Sequence, residues 1–214
     1  MKESAGAPSA DLIVYADYVC PFCYLGSVAL APLREEGIRI EDRPFELRPA
    51  PAPLPDMDEQ HYRDAWDRSV VQLAATLGVS GMKRPTASTR TRKAHEAAAF
   101  AREHGAGDAM HRAIYEAYFL GQRDIGRVDV LTDIGASVGL DRMALRVALD
   151  VDRYTDEVVA LEEEAARLGI TAVPAHLASD MDGRTRLMMG VRPTDEVRAL
   201  LAAGNTARDS GDDE

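Results

Sequence analysis

The chain's two cysteines stand as Cys20-Pro21-Phe22-Cys23, where a short apolar run gives way to an amphipathic one. Leu12 to Ala16 (LIVYA) is partly β-branched and aromatic and reads as a buried strand. The stretch from Tyr24 to Glu36 places Leu25, Val28, Ala29 and Leu33 on one side and ends at Gly37, the pattern of a helix with a C-terminal stop. Pro32 lies inside it and is expected to kink or shorten it. The pair thus occupies a strand–turn–helix junction. Pro21 falls at the first helical position, where its missing N–H costs nothing, and Cys20 falls at or near the N-cap. A sulfur there faces unsatisfied backbone N–H groups and the positive end of the helix dipole, and both stabilise a thiolate. A free cysteine titrates at roughly 8.5, and such a setting lowers that by about one to several units. The thiolate is the species that attacks a disulfide, and Cys23, one turn further in, is placed to resolve the mixed disulfide that results.

Other readings of the pair fit less well. A zinc site needs about four ligands. The chain has no further cysteine, and His61, His95, His104, His111 and His176 show no H-x-x-x-H spacing. A disulfide scaffold needs more cysteines. Two inert buried thiols would have no reason to stand at a strand–helix junction. The 214 residues suit one large domain or one domain carrying an insertion, and 46% hydrophobic residues suffice for a substantial core. A net charge of −11 disfavours nucleic acid and anionic membranes as partners. No apolar run approaches a membrane span, and the opening residues MKESAGAPSA lack an apolar signal core, so a cytoplasmic location is the expectation.

Further along, Ile38 to Phe45 alternates as a second strand, and Pro49 to Pro55 (PAPAPLP) reads as an extended linker. From Asp56 to Leu168 there are only amphipathic helical stretches, most of them closed by glycine. Strand character returns over Ile170 to Ala178 and Arg186 to Met189, joined by a hairpin turn at Asp182-Gly183. Thr194 is expected to cap a last helix from Asp195 to Ala203. The expected class is α/β: a mixed central sheet flanked by helices, interrupted by a large all-helical insertion. Its parts are residues 11–55, the insertion 56–168, and 169–204, with polar tails at 1–10 and 205–214.

Five segments carry a resemblance to a known family: DYVCPFCYLG (17–26), RPFELRP (43–49), AYFLGQRDIG (117–126), GLD (139–141) and GITAVPA (169–175). Together they resemble the DsbA-like thioredoxin-fold proteins, with the FrnE-type branch the nearest. The resemblance spans about residues 11 to 203. It implies a thioredoxin fold and dithiol–disulfide exchange, with Cys20 as attacking and Cys23 as resolving cysteine. It also implies that Pro174 is the cis-proline facing the pair, and that Val173, Pro174, Pro21 and Phe22 contact substrate. The substrates implied are disulfides and thiols, with glutathione as a candidate co-substrate and no metal or other cofactor. Phe22 stands where many FrnE-type proteins carry Trp and where the periplasmic DsbA enzymes carry His. Lacking that charge, this pair is expected to be less strongly oxidising. Arg90-Thr91 stands where many members have Asn-Thr.

Asp17 and His176 are candidate modulators. Asp17 is the carboxylate nearest the pair, and His176 shares a strand face with Pro174. Arg90, Arg92 and Lys93 oppose the dipole of the helix they open, which reads as a solvated basic turn or as an anion site. His95, His104 and His111 read as ordinary helix-face residues. Trp66, Tyr115, Tyr118 and Phe119 read as core of the insertion, or as a groove if one face is left open toward Cys20. Three functions compete. The first is a thiol–disulfide oxidoreductase. The second is a glutathione-dependent transferase or isomerase of the kappa or 2-hydroxychromene-2-carboxylate type, which usually has Ser in place of Cys20 and no Cys23 equivalent. The third is a non-catalytic binding module. Having both cysteines favours the first.

Overall fold

A computed structural model describes residues 10–179 and 185–209. The apolar run forms strand β1 (Leu12–Ala16), the centre of a mixed sheet. On one side β1 pairs in parallel with β2 (Ile40–Pro44). On the other it pairs antiparallel with β3 (Ala175–Ser179), which pairs antiparallel with β4 (Thr185–Met189). The spatial order is β2-β1-β3-β4. Helix α1 (Pro21–Glu35) makes the parallel crossover from β1 to β2. It ends as glycine-terminated helices do: Gly37 takes a φ of +87°, its N–H donates to the Arg34 carbonyl, and the Ile38 N–H donates to that of Leu33. Pro32 sits in the last turn, and the helix stops three residues later.

Alternation along β1 sends side chains to two cores. Leu12 and Val14 pack with Leu30 and Leu33 of α1 and with Val197 and Leu201 of the last helix, α9 (Thr194–Asp209). Tyr15 faces the opposite way and packs with Ala165, Ile170 and Ala175. Between β2 and β3 every described element is helical: α2 (Gln60–Ala65), a π-helical turn (Trp66–Val70), α3 (Val71–Thr76), α4 (Arg92–Glu103), α5 (Gly107–Phe119), α6 (Val128–Ser137), α7 (Arg142–Asp150) and α8 (Thr155–Arg167). An aromatic column joins this block to α1. Tyr24 stacks on Phe119 at 5.5 Å between ring centres and on Tyr115 at 5.5 Å. The sheet and the interrupting helices thus form the α/β architecture expected from the sequence.

Several boundaries differ from expectation. β3 begins at Ala175, not Ile170. The Gly169 and Ile170 N–H groups close α8 on the Ala166 and Ala165 carbonyls, and Pro174 has no N–H to give a ladder. Thr194 does not cap α9. It is the helix's first residue, and its hydroxyl donates to the Ala29 carbonyl at 2.5 Å, tying α9 to α1. The helix runs on to Asp209, past the tail expected from residue 205. The Asp182-Gly183 turn lies outside the described residues, as do 1–9 and 210–214.

The basic start of α4 is neither a solvated turn nor an anion site. Arg90 donates to the Arg48 and Ala52 carbonyls at 2.6 Å. Lys93 is held by Glu96 at 2.7 Å and Asp152 at 2.5 Å. Arg92 binds the buried Glu46, just after β2, and Glu162 of α8. Burial and the nearby Glu46 charge push the Glu162 carboxyl up. Arg92 therefore bridges two carboxylates that otherwise repel. Arg92→Met leaves both uncompensated. Breaking a fully buried pair costs about 3–5 kcal/mol; Arg92 is 28% exposed, so about 1–2 kcal/mol is expected. Urea unfolding checks this as a lower midpoint at unchanged slope.

Candidate active site

The junction of β1 and α1 sets the geometry. Cys20 is the N-cap residue, extended at φ −87° and ψ 115°, with Pro21 in the first helical positions. No side chain caps this end; the Cys23 and Tyr24 N–H groups donate to the Cys20 carbonyl, and those of Phe22 and Cys23 also act on its sulfur. Both cysteines are free thiols. Their environments differ. Cys20 is held below an ordinary thiol, first by the Cys23 thiol as hydrogen-bond donor and then by the Cys23 and Phe22 backbone N–H groups, against the cost of burial. Cys23 is pushed well up, first by burial and then by donating a hydrogen bond to the Cys20 sulfur. The Asp17 charge opposes ionisation of both. Ionisation is thus favoured at Cys20 over Cys23, which keeps its proton.

Access differs in the same sense. Cys20 lies in the wall of a groove of about 320 Å³, together with Phe22, Leu47, Met57, Trp66 and Phe119. Cys23 is 2% exposed and lines no part of it. Pro21 and Asp17 also border the groove. The Val173 carbonyl oxygen lies 3.8 Å from Cys20 Sγ, across the mouth of the pair. The Val173–Pro174 bond is cis, and Pro174 packs against α1 at Gly26, where a Cβ would meet Pro174 Cγ at 3.4 Å. Cys20, Cys23, Pro21, Phe22, Val173, Pro174 and Asp17 therefore gather at one place.

His176 does not join them. It pairs with Val14 in the sheet, and the charges it feels most are Arg192, Asp42 and Glu196. Burial pushes its imidazole down, so it stays neutral near pH 7. Of the four aromatics, Trp66, Tyr118 and Phe119 border the groove, whereas Tyr115 is core and donates its hydroxyl to the Asp17 carbonyl at 3.3 Å. Among the described residues, no group of three or more His, Cys, Asp or Glu side chains is arranged to hold a metal ion. None of the described helices is long and apolar enough to cross a membrane.

Two histidines read as ordinary helix-face residues are interior. His95 of α4 and His111 of α5 are each 6% exposed and flank Tyr18. The signal for His95 lay in its neighbours: Ala94 and Ala97 to Ala99 let α4 sink into the block until nearly every side faces protein.

Comparison with known proteins decides the family. The DSBA-like thioredoxin domain model matches residues 11–202. The chain belongs to that family. A Bacillus subtilis relative, the uncharacterized protein YwbO, is 34% identical over 172 residues, covering 78% of this chain and 86% of that one. Among solved structures, a probable DsbA oxidoreductase from Streptomyces coelicolor is similar at a TM-score of 0.76 and 26% identity, covering 91% of this chain and 89% of its own. The cytosolic disulfide reductase DsbM from Pseudomonas aeruginosa, also solved with GSH, shares the fold at a TM-score of 0.70 and 21% identity, covering 91% and 98%. This DSBA-like chain is thus broadly of an oxidoreductase or isomerase kind.

Proposed function

We propose that this DSBA-like protein is a thiol–disulfide oxidoreductase in which Cys20 attacks and Cys23 resolves. The carrying observation is the asymmetry of the pair: a stabilised, groove-facing Cys20 above an enclosed, protonated Cys23. Exchange needs that division of labour. The Cys20 thiolate attacks a substrate disulfide, one substrate sulfur leaves as a thiolate, and a mixed disulfide forms. Cys23 gives up its proton and attacks Cys20 Sγ. The second substrate sulfur then leaves, and two electrons have passed to the substrate.

The apolar groove favours protein or peptide disulfides flanked by apolar side chains. Pro21 and Phe22 form its floor beside Cys20, and the Val173 carbonyl accepts a backbone N–H of the bound strand. Glutathione is the small thiol that would regenerate the pair. A cytoplasmic setting fits, because transient catalytic disulfides are the kind found there. Asp17 is the proton acceptor for Cys23 in this reading. An isomerase reading has less support, since that chemistry gives Cys23 no task.

Alkylation against pH tests the proposal. Iodoacetamide should label Cys20 with a midpoint below that of a free thiol, and rate should climb through that lower pH as the thiolate forms. Cys23 should remain unlabelled until well above it. In glutathione buffers the two should form one intramolecular disulfide. Equal, slow labelling of both thiols, or no internal disulfide, overturns the reading.

A further inference from the structure

Disulfide exchange needs an onward route for the proton that Asp17 takes from Cys23. Cys23 must lose it to attack, yet it lines no cavity and lies beneath a groove that substrate fills. Behind the pair a second cavity of about 640 Å³ opens between β2 and the facing sides of α4, α5 and α8. It shares no lining residue with the groove. Asp17 and His95 span the partition between them. Asp17 belongs to the groove wall and His95 to the wall of the second cavity. Asp17 Oδ1 and His95 Nε2 face each other at 3.5 Å, and neither atom has a hydrogen-bond partner among the described residues. Asp17 is fully buried. Its other oxygen accepts the Leu47 N–H at 2.7 Å, which fixes the carboxylate.

A buried carboxylate oxygen and a buried ring nitrogen left unpaired are costly as mere packing. They lie about half an ångström beyond hydrogen-bond contact, a gap that small side-chain motion closes. Polar groups continue beyond His95. Its ring packs on Tyr18 at 4.9 Å, the Tyr18 hydroxyl meets His111 Nδ1 at 3.2 Å, and His111 Nε2 stands 3.6 Å from Asp42. A cavity of this size with such walls has room for water. The titratable groups facing the Asp17–His95 pair are Cys20 at the N-cap of α1, Cys23 within α1, Tyr18, the Tyr115, Tyr118 and His111 side chains of α5, and Glu162 of α8. Burial keeps the three tyrosines protonated and His111 neutral.

We propose that Asp17 and His95 form a relay that takes the Cys23 proton to the second cavity, so that resolution proceeds while substrate fills the groove. This rests on the disulfide-exchange reading, with His95 as a positioning residue acting through Asp17. The step balances. Cys23 Sγ–H loses its proton to Asp17, and His95 passes it to cavity water. The Cys23 thiolate bonds to Cys20 Sγ, and the Cys20–substrate S–S bond breaks with the electron pair leaving on the substrate sulfur.

A coloured aryl disulfide, dithiobis-nitrobenzoate, separates the stages in a single turnover. It releases one thiolate when Cys20 attacks and a second when Cys23 resolves. His95→Gln should leave the first release alone and slow the second about a hundredfold near neutral pH, the lower end of what proton transfer by a side chain contributes. Its second-phase rate should then rise in proportion to hydroxide, and added imidazole should restore it in His95→Ala. A second phase of unchanged rate and pH profile, equal slowing of both phases, or no rescue overturns the relay. If the variants do not fold, wild-type protein in heavy water decides. Slowing confined to the second release supports the relay, and no such slowing overturns it. Absence of the first release in wild type overturns the disulfide-exchange reading itself, and the relay with it.

Discussion

Replacing Cys20 by Ser is expected to lower insulin reduction to the rate of dithiothreitol alone, a loss of roughly a thousandfold or more, as when a nucleophile is removed. Among the described residues Cys20 is the only thiol that lines the groove, and the N–H groups of Phe22 and Cys23 are aimed at its sulfur. A serine hydroxyl there is not ionised near pH 7 and cannot exchange with a disulfide. Cys23→Ser should behave differently. Cys20 still attacks, although without the Cys23 thiol its anion is less stabilised. Each molecule then stops at the mixed disulfide, which mass spectrometry detects as an adduct on Cys20. Insulin turnover by Cys20→Ser at the wild-type rate would remove the sulfur from the mechanism.

What could be read from the sequence was local. β1 follows from a run of five apolar residues, and the Pro21 start and Gly37 stop of α1 are signals a few residues long. The cysteines' chemistry lies in the same short window. What the sequence concealed depends on partners far along the chain. Arg92 reads as a charge opposing a helix dipole because its carboxylates are 46 and 70 residues away. His95 occupies a helical position like many surface histidines, and only the packing of α4 and α5 around Tyr18 encloses it. The groove joins Cys20 to Met57, Trp66 and Phe119, brought together by the fold of the insertion. Helical spacing alone marks such aromatics as apolar and leaves open whether they face core or substrate.

Trp66→Ala should separate peptide substrates from small ones. Trp66 opens the π-helical turn between α2 and α3, is half-buried, and stacks on Phe119 with ring centres 6.3 Å apart. Phe119 is fully buried, so the indole is the member of that pair with area left for a ligand. A Trp side chain buries about 150–250 Å² when covered. If substrate covers about half of that, roughly 100 Å² leaves water, and at about 25 cal/mol per Å² this contributes about 2.5 kcal/mol. That is a ceiling near sixtyfold in kcat/KM, and ordering of the bound peptide lowers it. For a peptide disulfide flanked by Leu or Phe, a ten- to sixtyfold loss is expected. Glutathione disulfide, charged at both ends and without an apolar flank, should lose little. Alkylation of Cys20 should keep its rate, because the groups that stabilise its thiolate belong to α1 and not to the π-helical turn. Equal losses on both disulfides would mean that Trp66 supports the fold of the insertion, and that the groove does not select apolar flanks.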